Sequence, residues 1–187
     1  SIYISDGSNS RIRKVNVLGV ITTVTGTGSA GYGGDMCAAT AGGINHPEGV
    51  VTDGAGNLYI SDANNNRIRK IVANHLPFFT GGHRQLLTGC QSSSVSINAV
   101  LAATDIDVNQ GQTWSVVLAA VHGTAAASYT ATSTGSAVTP TGLTYTPTVG
   151  YTGLDSFSVR VLDCAGGADT TLIVVTVSPP PSAITGP

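Results

Sequence analysis

Charge is scarce in this chain of 187 residues: Asp, Glu, Lys and Arg together make up 10%. With a formal net charge of −2, nothing in the balance would draw the protein to nucleic acid or to an anionic membrane surface. Glu48 is the only glutamate, so no pair of glutamates is present for acid–base work. Both lysines, Lys14 and Lys70, lie before residue 72, which excludes a Lys–Asn isopeptide cross-link within residues 72–187. No apolar run reaches 18 residues, so no membrane-spanning helix is expected. No signal peptide is visible. The three cysteines, Cys37, Cys90 and Cys164, include no C-x-x-C pair, and a zinc site has little support. His46, His75, His83 and His122 show no metal-ligand spacing. There is no Gly-x-Ser-x-Gly elbow, and the Gly-rich stretch 26–34 lacks the lysine of a phosphate loop. That stretch reads as a flexible connector, and the protein is not expected to be an enzyme.

What fills the chain instead is Gly, Thr, Ser, Val and Ala, with aromatics at 5%. Few charges and many β-branched residues suit β-sheet. A repeat is the strongest local signal. IYISDGSNSRIRKV (Ile2–Val15) returns as LYISDANNNRIRKI (Leu58–Ile71), with nine of fourteen positions identical and Tyr3 aligned with Tyr59. Self-similarity of this kind marks a repeat architecture. Each copy reads as two strands joined by a polar turn, Asp6–Arg11 and Asp62–Arg67, because Asn and Asp tolerate left-handed backbone and bond their own chain. Six strands are expected, near Ile2–Ser5, Arg11–Val15, Ile21–Thr25, Gly49–Thr52, Leu58–Ser61 and Arg67–Ile71.

HPEGVVTDGAGNLYISDANNNRIRKI (His46–Ile71) resembles the NHL repeat, a β-propeller blade. GVITTVTGTGSAGYGGDMCAATAGGINHPEGV (Gly19–Val50) is similar to the outer strand and connector of bacterial members. The resemblance spans residues 1–73 and implies the last three strands of one blade and the first three of the next. Closed propellers take about four to eight blades. The expectation is therefore a segment of something longer, or a subunit whose open edges neighbours cover. Arg11, Arg13, Lys14, Arg67, Arg69 and Lys70 make two basic strands. Some NHL propellers bind RNA, but without aromatic interleaving these read as repeat residues that cover sheet edges. No nucleic-acid partner is expected.

Past residue 73 the repeat stops and short alternating runs begin. Val95, Ile97, Ala99 and Leu101 are read as one strand face. Trp114, Val116 and Leu118 form another, as do Leu143 with Tyr145, and Phe157 with Val159 and Val161. Thr170–Val177 is apolar on both faces. About seven strands punctuated by Gly, Pro, Asn and Asp predict a β-sandwich over 74–178, followed by a Pro-rich linker or tail at 179–187. SINAVLAATDIDVNQGQTWSVV (Ser96–Val117) and TPTGLTYTPTVGYTGLDSFSVRVLDCAGGADTTLIVVTV (Thr139–Val177) resemble the immunoglobulin-like or cadherin-like repeats of bacterial surface proteins, particularly of the Bacteroidetes. The segment Tyr145–Phe157 is the most specific part. The fold class is thus all-β: partial NHL propeller-type blades followed by an Ig-like β-sandwich.

Asp105, Asp107 and Asn109 stand as D-x-D-x-N, alternate oxygen ligands that suit calcium, although Gln110 and Val116 rule out an EF-hand. The strand count puts Asp163 at the same end, so Asp105, Asp107 and Asp163 form a candidate calcium set. Cadherin-like repeats place calcium at such junctions. The alternative is that these residues cap turns. The same count puts Cys90 and Cys164 at opposite ends, against their pairing. Together these features predict an extracellular structural or adhesive β-protein of a bacterial cell surface. One version is a filament subunit that pairs with identical copies through open β-edges; surface glycans are a second class of partner. The alternatives are a ligand-binding or spacer segment of a large adhesin, or the non-catalytic part of an NHL-propeller enzyme.

Overall fold

A computed structural model describes residues 1–180. It divides into two compact units, Ser1–Asn74 and His75–Pro187. Strands and four single 3-10 turns make up the regular structure, and among the described residues no helix is long and apolar enough to cross a membrane. Of the Pro-rich tail expected at 179–187, residues 181–187 lie outside the described residues.

The first unit holds β1 (Ile2–Asp6), β2 (Arg11–Val15), β3 (Ile21–Thr25), β4 (Pro47–Thr52), β5 (Leu58–Asp62) and β6 (Arg67–Ile71). They form two antiparallel sheets in the orders β1-β2-β3 and β4-β5-β6. The two hairpins close on the expected residues, Asp6 opposite Arg11 and Asp62 opposite Arg67. Each tip is one 3-10 turn ended by a left-handed residue, Ser10 at φ 48° and Asn66 at φ 53°. Their amides donate back to the Gly7 and Ala63 carbonyls.

The two copies do not bury the same residues. Ile12 of the first copy and Ile60 of the second are buried together with Ile44, while their counterparts Ile68 and Ile4 are 70% and 41% exposed. A blade has two faces and a neighbour covers one of them; this is the packing expected of stacked repeats, none of which can bury both faces alone.

The stretch read as a flexible connector is built instead around one side chain. Arg69 donates to the carbonyls of Gly43 (2.5 Å) and Gly33 (2.9 Å), pairs with Asp35, and lies 3.9 Å from the buried Asp62 carboxylate. Asn65 donates to the Gly31 carbonyl at 2.8 Å, and the Arg67 guanidinium lies 4.2 Å from the Tyr32 ring centre. Glycine is required where the connector folds on itself. Gly34 sits at φ 78°, and a Cβ there would come within 2.5 Å of the Gly42 Cα.

The second unit contains β7 (Phe78–Phe79), β8 (Arg84–Cys90), β9 (Val95–Ser96), β10 (Ala103–Thr104), β11 (Gly111–Leu118), β12 (Gly123–Ala126), β13 (Tyr129–Thr132), β14 (Ala137–Val138), β15 (Thr144–Pro147), β16 (Gly153–Asp163) and β17 (Ala168–Ser178). A five-stranded sheet β13-β11-β16-β17-β8 accompanies the three-stranded sheets β12-β15-β9 and β14-β10-β7. All pairings are antiparallel except β8 with β17. The core gathers Trp114, Tyr145, Phe157, Val159, Val161, Ile173 and Val175, and the Trp114 indole N–H donates to the Leu101 carbonyl at 2.9 Å.

Two details differ from the run-by-run reading. Several strands are only two residues long and carry no pattern to find. Val95–Leu101 is not one strand: after β9 the chain turns into a 3-10 turn at Ala99–Leu101. Asn98 is the cause, since it takes right-handed helical backbone and its Oδ1 accepts the Leu143 amide at 2.8 Å. Ile97 and Leu101 are still fully buried.

Candidate functional site

Several of the chain's ionisable side chains gather at the two ends of the sandwich and in the turns and basic strands of the first unit. The first is the end of the sandwich where β11 begins and β16 ends, with Gln112 opposite Asp163. Asp105 is buried; its carboxylate accepts the Asp107 amide at 3.0 Å and the Gln112 side-chain amide at 3.3 Å. Burial is the main cause that pushes the Asp105 carboxyl above the usual range, and the nearby charges of Asp107 and Asp163 add to it. Asp107 points elsewhere, to His75: it accepts that residue's backbone N–H at 2.6 Å and meets its Nδ1 at 2.9 Å. Asp163 closes its own hairpin by accepting the amides of Ala165 (2.8 Å) and Gly167 (2.7 Å).

Among the described residues no group of three His, Cys, Asp or Glu side chains is arranged to hold a metal ion. Asp105, Asp107 and Asp163, the set expected from D-x-D-x-N and the strand count, each accept main-chain amides here. Amide acceptance of this kind is what turn-capping carboxylates do.

The second place lies at the other end of the sandwich, in the segment that carried the family resemblance. Asp155 collects four donors: the Tyr145 hydroxyl (2.7 Å) and the amides of Ser156 (2.8 Å), His122 (2.9 Å) and Val121 (3.1 Å). Burial opposes its charge, but these bonds outweigh burial and hold the carboxyl below the usual range. Burial first, and then Asp155, push the Tyr145 phenol well above its ordinary value. The Tyr145 ring stacks on Phe157, and His122 stacks on Tyr151 at 4.1 Å between centres. Sequence reading marked Tyr145 and Asp155 as a motif but missed Val121 and His122. They lie more than thirty positions away and contribute main-chain amides, which no residue pattern can reveal.

In the first unit, the Asn57 side-chain amide is the largest cause holding the Asp53 carboxyl below its usual range, in a turn that also uses the amides of Asn57 and Ala55 and the Tyr59 hydroxyl. The basic strands are engaged in the same way. Arg13 donates to the Thr23 hydroxyl at 2.6 Å, Arg11 to the Thr27 carbonyl at 3.1 Å, and Lys14 and Lys70 lie over the rings of Tyr3 and Tyr59.

Cys90 is a free, exposed thiol. It lies opposite Ser178 at one end of the five-stranded sheet, whereas Cys164 follows β16 at the end where Leu162 pairs with Ala168.

Comparison with known proteins follows the division of the fold. Residues 45–71 match the NHL repeat and residues 74–176 match the bacterial Ig domain. No curated protein matches the chain in sequence. Among solved structures, an endo-fucoidan hydrolase of glycoside hydrolase family 107 is similar at 14% identity and a TM-score of 0.40; the match covers 67% of this chain and 18% of that one. The extracellular cadherin domains 1–4 of protocadherin gamma B7 are similar at 12% identity and a TM-score of 0.38, over 74% of this chain and 43% of that one. The chain thus spans less than half the length of either structure. With its family match covering more than half of its length, the chain belongs to the bacterial Ig domain family, and an NHL repeat precedes that domain.

Proposed function

We propose that the protein is an extracellular β-protein of a bacterial surface, with a structural or adhesive role and no enzymatic one, whose contacts with other proteins run through sheet edges. One observation carries this reading: an NHL repeat and a bacterial Ig domain follow one another in a single chain. The use of ionisable groups supports it. Asp53, Asp62, Asp105, Asp155 and Asp163 are all engaged with main-chain amides. Carboxylates committed in this way position loops, and their hydrogen-bonding capacity is spent on the fold.

The test is protease shaving of intact cells of the organism that makes the protein. Peptides from both units are expected in the supernatant before lysis, in step with known surface proteins. Recovery of those peptides only after the cells are opened would contradict the assigned location.

A further inference from the structure

The longest edge strand among the described residues is β8, at seven residues. The other edges are short or protected. The edge strands β12, β13, β9, β14 and β7 have four residues or fewer. β4 carries Pro47, Glu48 and an irregular register, and β6 carries Arg67, Arg69 and Lys70. β1 and β3 have five residues each, β1 ends in Asp6, and β3 meets its neighbour through a register shift. Short length, charge, proline and bulges are the devices that keep sheet edges from pairing with other chains. β8, with the sequence RQLLTGC, has no proline, no lysine and one charge, at its first residue. Its register with β17 is unbroken over all seven residues.

The direction of its free hydrogen-bonding groups follows from two contacts at the ends of the ladder. Leu172 donates to the His83 carbonyl, and Gln91 donates to the Ser178 carbonyl, each at 2.9 Å. Main-chain groups alternate sides along a strand. Odd-numbered residues of β8 therefore face β17, and the N–H and C=O groups of Arg84, Leu86, Thr88 and Cys90 point out of the sheet edge. The side chains of those same four residues are exposed, Leu86 by 67%.

We infer that β8 is a self-pairing edge: two copies of the chain join antiparallel through it and merge their five-stranded sheets into one of ten strands. The strand is complementary to itself. In the register that overlaps all seven residues, Arg84 meets Cys90 of the other copy, Leu86 meets Thr88, and Leu87 lies on the two-fold axis. All four outward residues then exchange main-chain bonds, about eight in all, in the narrow pairs of an antiparallel ladder. Leu86 gains cover, and the single charge falls opposite a thiol and never opposite itself. A second copy is favoured over an unrelated strand because this one register satisfies every outward group without a charge clash.

This inference deepens the proposed function by naming the edge and the partner, and it rests on that reading for its biological role. Self-association and surface location are measured separately, so either can fail alone. The experiment is sedimentation of the full chain over a concentration series. Wild type is expected to show a reversible monomer–dimer equilibrium. Thr88→Pro removes an outward N–H and leaves the bonds to β17, a placement proline tolerates at an edge; Leu86→Lys places a charge there. Each is expected to weaken the dimer about tenfold or more, with the circular dichroism spectrum unchanged. Register is tested by Arg84→Cys. Opposed residues in narrow pairs have Cα atoms about 5.5 Å apart, within disulfide range. Oxidation should therefore give a cross-linked dimer with native Cys90, and none when Cys90→Ser is added. Wild type that stays monomeric at the highest soluble concentration, or cross-linking that survives Cys90→Ser, overturns the inference.

Discussion

Asp155 shows how a single carboxylate can organise one end of a sandwich. Four donors converge on it, two of them amides of the loop that precedes β12. Asp155→Ala should cost about 3 kcal/mol, because it takes the acceptor from a buried tyrosine hydroxyl and three amides. Chemical denaturation with Tyr145→Phe as the partner mutant measures this, and the two losses should be less than additive. The sign of the pH effect follows from the lowered carboxyl. Its stabilisation is complete above the unfolded value of about 4 and is lost as pH falls through the lower folded value. Asp105 works in the opposite sense. Its carboxyl is raised by burial, so its penalty appears as pH rises past the unfolded value and is full above the folded one. Asp105→Asn keeps an acceptor for the Asp107 amide and removes the buried charge. It should raise stability at neutral pH by about 1 kcal/mol and leave stability at acid pH nearly unchanged, as thermal melts at the two pH values would show. D-x-D-x-N was legible in the sequence as a turn. The partners of its carboxylates were not, because alternate carboxylates give no sign of which main-chain amides they accept.

The hairpins are the most legible elements. Their boundaries come from a repeated sequence, and the turn chemistry of Ser10 and Asn66 sits where left-handed backbone is needed. Asn66→Ala should cost about 1 kcal/mol, measured on the first unit's unfolding, because alanine lacks the side chain that makes this backbone tolerable. The connector was misread for a physical reason. Glycine looks flexible in a sequence, yet here its carbonyls are open to Arg69, whose partners Gly33, Asp35 and Gly43 lie about thirty positions away. Arg69→Ala removes a guanidinium that joins two carbonyls, Asp35 and the buried Asp62, and should cost about 3 kcal/mol. Hydrogen exchange should quicken across residues 31–43. Lysine should not restore protection, because a single ammonium cannot span the fork. The short strands of the sandwich were invisible for a different reason: two residues cannot show a period of two.

At the scale of the molecule, the order of modules was legible because repeat sequence and sandwich sequence differ in charge and in pattern. Which faces and edges stay open was not. Ile4 and Ile68 have the same residue type as their buried counterparts, and only packing separates them. The open edge of β8 depends on which neighbour its odd residues bond, a fact of register alone. The claim that this protein meets its partners through main-chain pairing is tested most directly by residue-resolved amide exchange along β8 as protein concentration rises. Gln85, Leu87 and Gly89 should be protected at every concentration, while Leu86 and Thr88 should exchange fast when dilute and become protected together as copies associate. Leu86 and Thr88 amides that stay fast at every concentration would contradict it.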